Sequence, residues 1–454
     1  STSVNYMLAD LDIIPKAPKL KTVPDTTVVI NIDNDFPVTV PTNSIKASFD
    51  KRALICARTR AGKTLLLCHL AIKTLIEYED DDDYFPICFI IGPNLSSFCE
   101  DVLDKFEAIP ELKKYNDFIE VLSIRDKRSI EKISGVFAGI IPKKPILVVA
   151  NADHTYVAKI LDLVEAINRS QPHKKINVFL DEAHKSGEKT YDLLKERLMS
   201  LLNVSLTETT ATFRSRMLSQ PPAEVYTLQP RTNTYVNPTE AKLIKVDREI
   251  NNKCMCMDNP HLAKEYLDKI SWQWQNEKSL ILINGNQTIA FHTAAGNQVL
   301  NLAKKLNHAA AIVYINRGKA RCQPTDQSAS FIVCDEGNNG KPLRSASAII
   351  ERVHKLGFNH VVVIGQKQVE MGQTIGCTGF PLTLQILMVR RSKPKIDLIA
   401  QLIRTGGNGV GEQYIMCPEE IWEDYLAWTN DNDKLSTMFQ GLSPELQQLA
   451  AQNA

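Results

Sequence analysis

Ala57-Arg58-Thr59-Arg60-Ala61-Gly62-Lys63-Thr64 lies between two apolar runs, residues 53–56 before it and 65–76 after it. The first run has strand length and the second has helix length. Strand, tight loop and helix are the setting a phosphate-binding loop requires. In that setting the backbone N–H groups of the loop and of the helix N-terminus converge on an anion. Lys63 is placed to reach the terminal phosphates, and the Thr64 hydroxyl to ligate Mg²⁺. The first loop position holds Ala57 where the G-x-x-x-x-G-K-[ST] pattern has glycine, and alanine fits there while φ stays negative.

A second stretch supplies the missing chemistry. Val178-Phe179-Leu180 runs directly into Asp181-Glu182-Ala183-His184. A buried strand that ends in two acids presents both at the C-terminal edge of its sheet, where α/β proteins bind ligands. Asp181 can hold Mg²⁺ through water, and Glu182 can orient and deprotonate an attacking water. His184 can couple that site to a second lobe.

The 454 residues allow two or three domains. Apolar residues make up 44% and charged residues 23%, the balance of a globular protein. The net charge of +1 neither calls for nucleic acid nor excludes it, because a groove can be basic within a neutral total. Ten cysteines are spread thinly, and the closest two, Cys254 and Cys256, are one residue apart and form no C-x-x-C unit, which predicts reduced thiols and no zinc site. No apolar run is long enough to span a membrane. No charged-then-apolar leader stands at the start. An intracellular, cytoplasmic chain is therefore expected, in a host cell if it is viral.

Proline-rich residues 1–45 read as an N-terminal arm with one strand at 26–32. Residues 46–215 alternate short apolar runs (53–56, 87–91, 119–123, 146–150, 178–180, 204–206) with helical ones such as 97–108 and 157–168. That alternation predicts a parallel sheet with helices on both faces. Prolines at 221, 222, 230 and 238 break it, so 216–270 reads as a connector with strands at 224–228 and 242–246 and a helix near 261–274. Strand-like runs at 280–284, 311–315, 330–334, 360–364, 385–389 and 413–416, with helices at 296–306 and 343–356, predict a second α/β lobe over 271–416. Residues 417–454 read as a helical tail whose Trp422, Tyr425, Leu426 and Trp428 form a packing face.

The order Gly-Lys-Thr, Asp-Glu-Ala-His, then Thr210-Ala211-Thr212 after Val204-Ser205-Leu206 resembles superfamily 2 helicases and translocases of DEAH-box type. The resemblance implies two RecA-like lobes with ATP bound between them, and Thr210 and Thr212 as residues that link hydrolysis to nucleic-acid movement. Pro93 and Asn94 follow a strand where that family has its first nucleic-acid motif, and Asn151 follows another at a further backbone-contacting position. The second lobe resembles the Z-one type ATPases of bacteria and phages. The matching run is Ile364-Gly365-Gln366-Lys367-Gln368-Val369-Glu370-Met371-Gly372-Gln373-Thr374, then a strand leading to Arg390 and Arg391, then Gln401 and Arg404. His292, eight residues after Asn284, fits the same pattern. Gly372 is thereby implied in nucleotide binding, Gln373 and Thr374 in nucleic-acid contact, and Gln401 with Arg404 in catalysis. Met371 replaces an arginine of that pattern, and the sixth motif lacks its further arginine. Arg404, on an expected helix, is thus the one candidate arginine finger.

The reading is an α/β protein of two RecA-like P-loop lobes that couples ATP hydrolysis, with Mg²⁺, to movement along nucleic acid, DNA in preference to RNA. Two rivals stay open: a helicase-fold binding or assembly protein with weak hydrolysis, and an ATPase component of a nuclease or defence complex.

Overall fold

The computed structural model describes residues 27–32, 36–41, 52–56, 62–77, 83–93, 96–126, 140–182, 189–211, 224–227, 229–230, 235–253, 257–286, 288–316, 319–326, 329–333, 345–365, 374–389 and 396–439, with residues 131, 133, 135, 136 and 343 besides. The chain divides into two compact units, Ser1–Tyr235 with Asp431–Ala454, and Val236–Asn430.

In the first unit, β1 (Thr27–Ile32) and β2 (Phe36–Pro41) pair antiparallel. The main sheet is built from β3 (Arg52–Cys56), β4 (Tyr84–Gly92), β5 (Glu120–Ser123), β6 (Ile146–Asn151), β7 (Lys175–Leu180), β8 (Val204–Thr210) and β9 (Glu224–Thr227). Its order is β5-β6-β4-β7-β8-β3-β9, and every neighbouring pair runs parallel. Four long helices accompany it: α1 (Lys63–Glu77), α2 (Ser96–Ala108), α3 (His154–Ser170) and α4 (Lys189–Met199). Strands covered on both faces lose the apolar–polar alternation and read as continuous apolar runs. Their side chains still alternate between faces. Cys88 and Ile90 of β4 join a core with α1 and α2, while Phe89 and Ile91 join a second core with α3 and α4.

The chain leaves β3 and returns as β4 beyond both β8 and β7. That crossover leaves the C-terminal ends of β3, β8 and β7 side by side, with Cys56 opposite Thr210 and Leu180 opposite Glu208. A buried ion pair ties β3 to β8, with Arg52 Nε 2.6 Å from Glu208 Oε1 and Lys195 Nζ of α4 3.0 Å from Oε2. Burial alone would raise the Glu208 carboxyl, but Arg52 and Lys195 outweigh it and hold it below its ordinary range.

The second unit contains β10 (Lys242–Lys245), α5 (Arg248–Lys253), α6 (Pro260–Gln273), β11 (Ser279–Asn284), α7 (Ile289–Leu306), β12 (Ala311–Asn316), β13 (Lys319–Pro324), β14 (Phe331–Ile332), α8 (Ala346–Lys355), β15 (His360–Gly365), β16 (Leu384–Leu387), α9 (Ile396–Leu402) and β17 (Tyr414–Cys417). Its sheet runs β10-β17-β16-β11-β15-β12-β13-β14. The first six strands are parallel, and β13 and β14 add an antiparallel edge. Ile281 and Ile283 of β11 pack with α6 and α7, and Leu280 and Leu282 pack on the opposite face with α8. Helix α10 (Glu419–Phe439) lays Trp422 and Tyr425 on Leu387, Val389, Ile415 and Cys417, with Leu426 and Trp428 beside them.

The strands expected at 224–228 and 242–246 are present as β9 and β10. β9 is the edge strand beside β3, and β10 is the edge strand beside β17. None of the seven described cysteines is in a disulfide, and no described helix is long and apolar enough to cross a membrane.

Helix α1 is apolar around most of its circumference, as a helix sunk in a core must be. His69 is buried within it and has no hydrogen-bond partner among the described residues. Burial pushes its imidazole from the ordinary 6.5 down to about 3. The folded state therefore binds the proton later than the unfolded chain, so this contribution to stability is complete above 6.5 and is lost as pH falls toward 3. Urea denaturation followed by circular dichroism should show the parent losing about 2 kcal/mol more than His69→Leu between about pH 7 and 5. Equal losses in the two proteins would contradict this account of the helix.

Candidate functional site

Gly62 enters α1 with φ of 95°, a left-handed conformation that glycine adopts without a steric penalty. Its carbonyl accepts from the Leu66 N–H at 2.9 Å and closes the first turn. No acidic residue occupies that turn, so its N–H groups and the positive end of the helix stay available to an external anion. Lys63 is the first residue of the helix and is buried. Its Nζ stands 3.9 Å from Glu182 Oε1.

Asp181 follows β7 directly, and its N–H extends the ladder to Ile91 O at 2.8 Å. Both carboxylate oxygens are held. Thr64 Oγ1 donates to Oδ2 at 2.6 Å. Thr209 Oγ1 at 2.8 Å and the Glu182 N–H at 2.9 Å donate to Oδ1. Tyr191 of α4 donates its hydroxyl to the Asp181 carbonyl at 3.1 Å. Burial and the neighbouring Glu182 carboxylate push the Asp181 carboxyl up, against the pull of Lys63 and of the Thr64 and Thr209 hydroxyls. Two carboxylates this close are compatible only with cations or protons beside them.

Glu182 has φ of 56°, left-handed backbone in a residue with a side chain. Such a conformation costs about 1–2 kcal/mol. It turns the chain sharply off the end of β7, and the Glu182 carboxylate meets Lys63 there. Non-glycine residues held this way concentrate at functional sites.

Lys63, Thr64, Asp181 and Glu182 therefore come together at the C-terminal edge of the first sheet. The Thr64 hydroxyl and Asp181 carboxylate are hard oxygen donors side by side, a set that suits Mg²⁺ carrying most of its own waters. Among the described residues no group of three or more His, Cys, Asp or Glu side chains is placed to hold a metal ion by itself.

Pro93 lies just past β4 and is buried, and Asn151 ends β6, buried, with its Oδ1 3.9 Å from Cys99 Sγ. Thr210 ends β8 and is buried, whereas Thr374 is exposed. His292 is buried in α7 with Nε2 2.7 Å from the Asn286 carbonyl, and burial holds its imidazole below the ordinary value against that bond. Gln401 is half-buried in the last turn of α9. Arg404 is not on the helix as expected, because α9 ends at Leu402. The Leu402 carbonyl accepts from the Asn284 and Gln385 side chains, and the chain leaves the helix there. Ala57, Arg58, Thr59, Arg60, Ala61, Asn94, His184, Thr212, Met371, Gly372 and Gln373 lie outside the described residues.

Thr209 is not among the site residues expected from the sequence, which on β8 begin at Thr210. The signal was present: Thr207-Glu208-Thr209-Thr210 is a polar run inside a strand otherwise flanked by apolar neighbours. With Glu208 opposite Leu180, the next residue, Thr209, falls beside Asp181.

No family profile matches the sequence, and no curated protein matches it. Solved structures do match the fold. Mss116p bound to ssRNA and AMP-PNP aligns with a TM-score of 0.50 at 13% identity, over 87% of this chain and 70% of that one. The DEAD-box helicase Mss116 bound to ssRNA and UDP-BeF aligns at 0.51 and 14% identity, over 82% of this chain and 68% of that one. T. fusca Cas3 aligns at 0.45 and 12% identity, over 89% and 49%, a score too low to bear on the fold. The chain thus shares with the DEAD-box helicase Mss116 a fold of two RecA-like lobes, each a largely parallel sheet flanked by helices.

Thr209→Val keeps the shape of the side chain and removes its donor. A hydrogen bond to a buried charged group is worth about 1.5–3 kcal/mol, so urea denaturation at neutral pH should register a loss of that order, restored by Thr209→Ser. A valine variant as stable as the parent would show that Thr209 does not hold Asp181.

Proposed function

We propose that this protein is an ATP hydrolase of the superfamily 2 helicase and translocase type, driven along or against single-stranded nucleic acid. The observation that carries the reading is the Thr64 hydroxyl on Asp181, 2.6 Å away, with Lys63 and Glu182 beside them. Support comes from a fold shared with a helicase whose structures contain ssRNA and nucleotide analogues.

Each residue then has a task. The N–H groups of the first turn of α1 and the Lys63 ammonium bind the β- and γ-phosphates of ATP. Thr64 and Asp181 would hold Mg²⁺, whose charge offsets that of the phosphate oxygens when it is bound. Glu182 takes a proton from the water that attacks the γ-phosphorus, while the bond from that phosphorus to the bridging oxygen breaks and ADP leaves. Thr209 keeps Asp181 in register throughout. Arg404 is the proposed finger and stabilises charge on the phosphoryl group as it transfers. Gln401 is proposed to act in catalysis with Arg404, and Gly372 and the loop residues 57–61 complete the proposed nucleotide contacts. His184, Thr210 and Thr212 are the proposed coupling residues.

Pro93, Asn94, Asn151, Gln373 and Thr374 are the proposed nucleic-acid contacts. Side-chain amides, hydroxyls and helix N-termini bind phosphates without reading bases, so affinity should be tolerant of sequence and sensitive to salt. A neutral overall charge is compatible with such contacts. The choice of DNA over RNA and the DEAH-box and Z-one affinities belong to this proposal as well.

Glu182→Gln should bind a non-hydrolysable ATP analogue within a few-fold of the parent and lose most turnover, because the water has lost its base and the phosphate cradle is intact. Lys63→Ala should weaken analogue binding itself. Isothermal titration and a phosphate-release assay on both variants separate the two effects. Wild-type hydrolysis in both would remove the site from these residues.

A further inference from the structure

The segment that carries Arg404 leaves α9 and is gripped at nearly every residue. The Leu402 carbonyl accepts from Asn284 Nδ2 at 2.9 Å and from Gln385 Nε2 at 2.7 Å. The Arg404 N–H donates to Gln385 Oε1 at 2.8 Å. A single amide therefore holds the main chain on both sides of Ile403. Gln385 Nε2 also donates to Asn284 Oδ1 at 2.9 Å, which orients one amide against the other. Further on, Thr405 Oγ1 donates to the Pro238 carbonyl at 3.0 Å, and the Gly406 N–H donates to Gln413 Oε1 at 2.6 Å. Gln413 is anchored in turn by its Nε2, which donates to the Leu382 carbonyl at 3.0 Å. Gly406 has φ of +86°, and a Cβ there would stand 2.5 Å from Pro238 N. No other residue type fits that step.

Asn284, Gln385 and Thr405 have no exposed surface, and Arg404 retains 1%. Gln385 sits in β16 among Leu384, Ile386 and Leu387, all fully buried. An apolar residue would serve that core equally well, because an amide in such a place is costly unless its atoms are satisfied. Here the amide spends both its ends on the main chain at 402 and 404. The consequence is geometric. The backbone of Ile403 and Arg404 is fixed, and with it the point and direction from which the guanidinium leaves the chain. Arg404 Nη2 donates back to the Gln401 carbonyl at 2.9 Å.

We propose that Gln385 is a positioning residue for Arg404: its amide, braced by Asn284, presets the main chain from which that arginine leaves. This rests on the reading of Arg404 as the finger. Transition-state groups tolerate little displacement, and a shift of about 1 Å can cost about 10²-fold in rate.

The test is a double-mutant cycle on the full chain, with Arg404→Ala, Gln385→Met and the pair, at a temperature where melting curves show each variant folded. Turnover of ATP is measured with and without single-stranded DNA and RNA, and affinity with a non-hydrolysable ATP analogue. Gln385→Met should lower kcat by about 10- to 10²-fold while analogue affinity stays within about three-fold, and the double variant should turn over no more slowly than Arg404→Ala alone. Loss of kcat in Arg404→Ala with an unaffected Gln385→Met, or losses that multiply in the pair, overturns the positioning role and leaves the finger standing. An Arg404→Ala protein with parental kcat overturns both. Should Gln385→Met not fold, Asn284→Ala removes the bracing amide and carries the same cycle, with the same absence of additivity expected.

Discussion

One hydrogen bond, from the Thr64 hydroxyl to the Asp181 carboxylate, joins the two halves of the candidate site across 117 positions of sequence. It requires the start of α1 to meet the end of β7, although β8 lies between β7 and β3 in the sheet. Parallel pairing meets that requirement, because it brings the C-terminal ends of the strands to one edge. The right order of strands then sets β3, β8 and β7 next to one another. Thr209, at the end of β8, fills the interval between them with a second hydroxyl on the same carboxylate. The buried Arg52–Glu208 pair keeps β3 and β8 in that register. Breaking such a pair would leave a charge stranded in the core.

The two units solve different problems with the same architecture. The first gathers charged and hydroxyl side chains at a strand edge, with a left-handed Glu182 as the visible strain. The second holds a stretch of main chain still. Its instruments are neutral amides, Asn284, Gln385 and Gln413, each buried and each bonded to backbone groups. Amides suit that purpose because one side chain can donate and accept at once, and so grip both polarities of the chain.

Much of this was legible in the sequence, for a physical reason. Strands covered on both faces appear as unbroken apolar runs, so β3, β4, β6, β7 and β8 announced themselves, and the Gly-Lys-Thr and Asp-Glu pairs stood at their ends. β8 ran four residues further than its apolar part because Thr207 to Thr210 pair through the backbone whatever their side chains. Edge strands β9 and β10 were legible as short apolar runs, but set among prolines they gave no sign of which sheet each one joins. The end of α9 was hidden because its periodicity continues to Arg404, and what stops it is a pair of amides from distant strands. Gln385 gave no sign at all. Its partners are main-chain atoms 17 and 19 positions away, and no local pattern records such a bond.

The account joins a nucleotide site in the first lobe to nucleic acid, and that join is its central claim. Steady-state ATP turnover by the full chain, followed as single-stranded DNA or RNA is titrated in at several salt concentrations, tests it most directly. The account predicts that turnover rises to a plateau with at least one of the two, and that higher salt shifts the midpoint to higher nucleic-acid concentration as phosphate contacts weaken. A chain that binds the nucleotide yet hydrolyses it at one rate, with or without either nucleic acid and at every salt concentration, would contradict it.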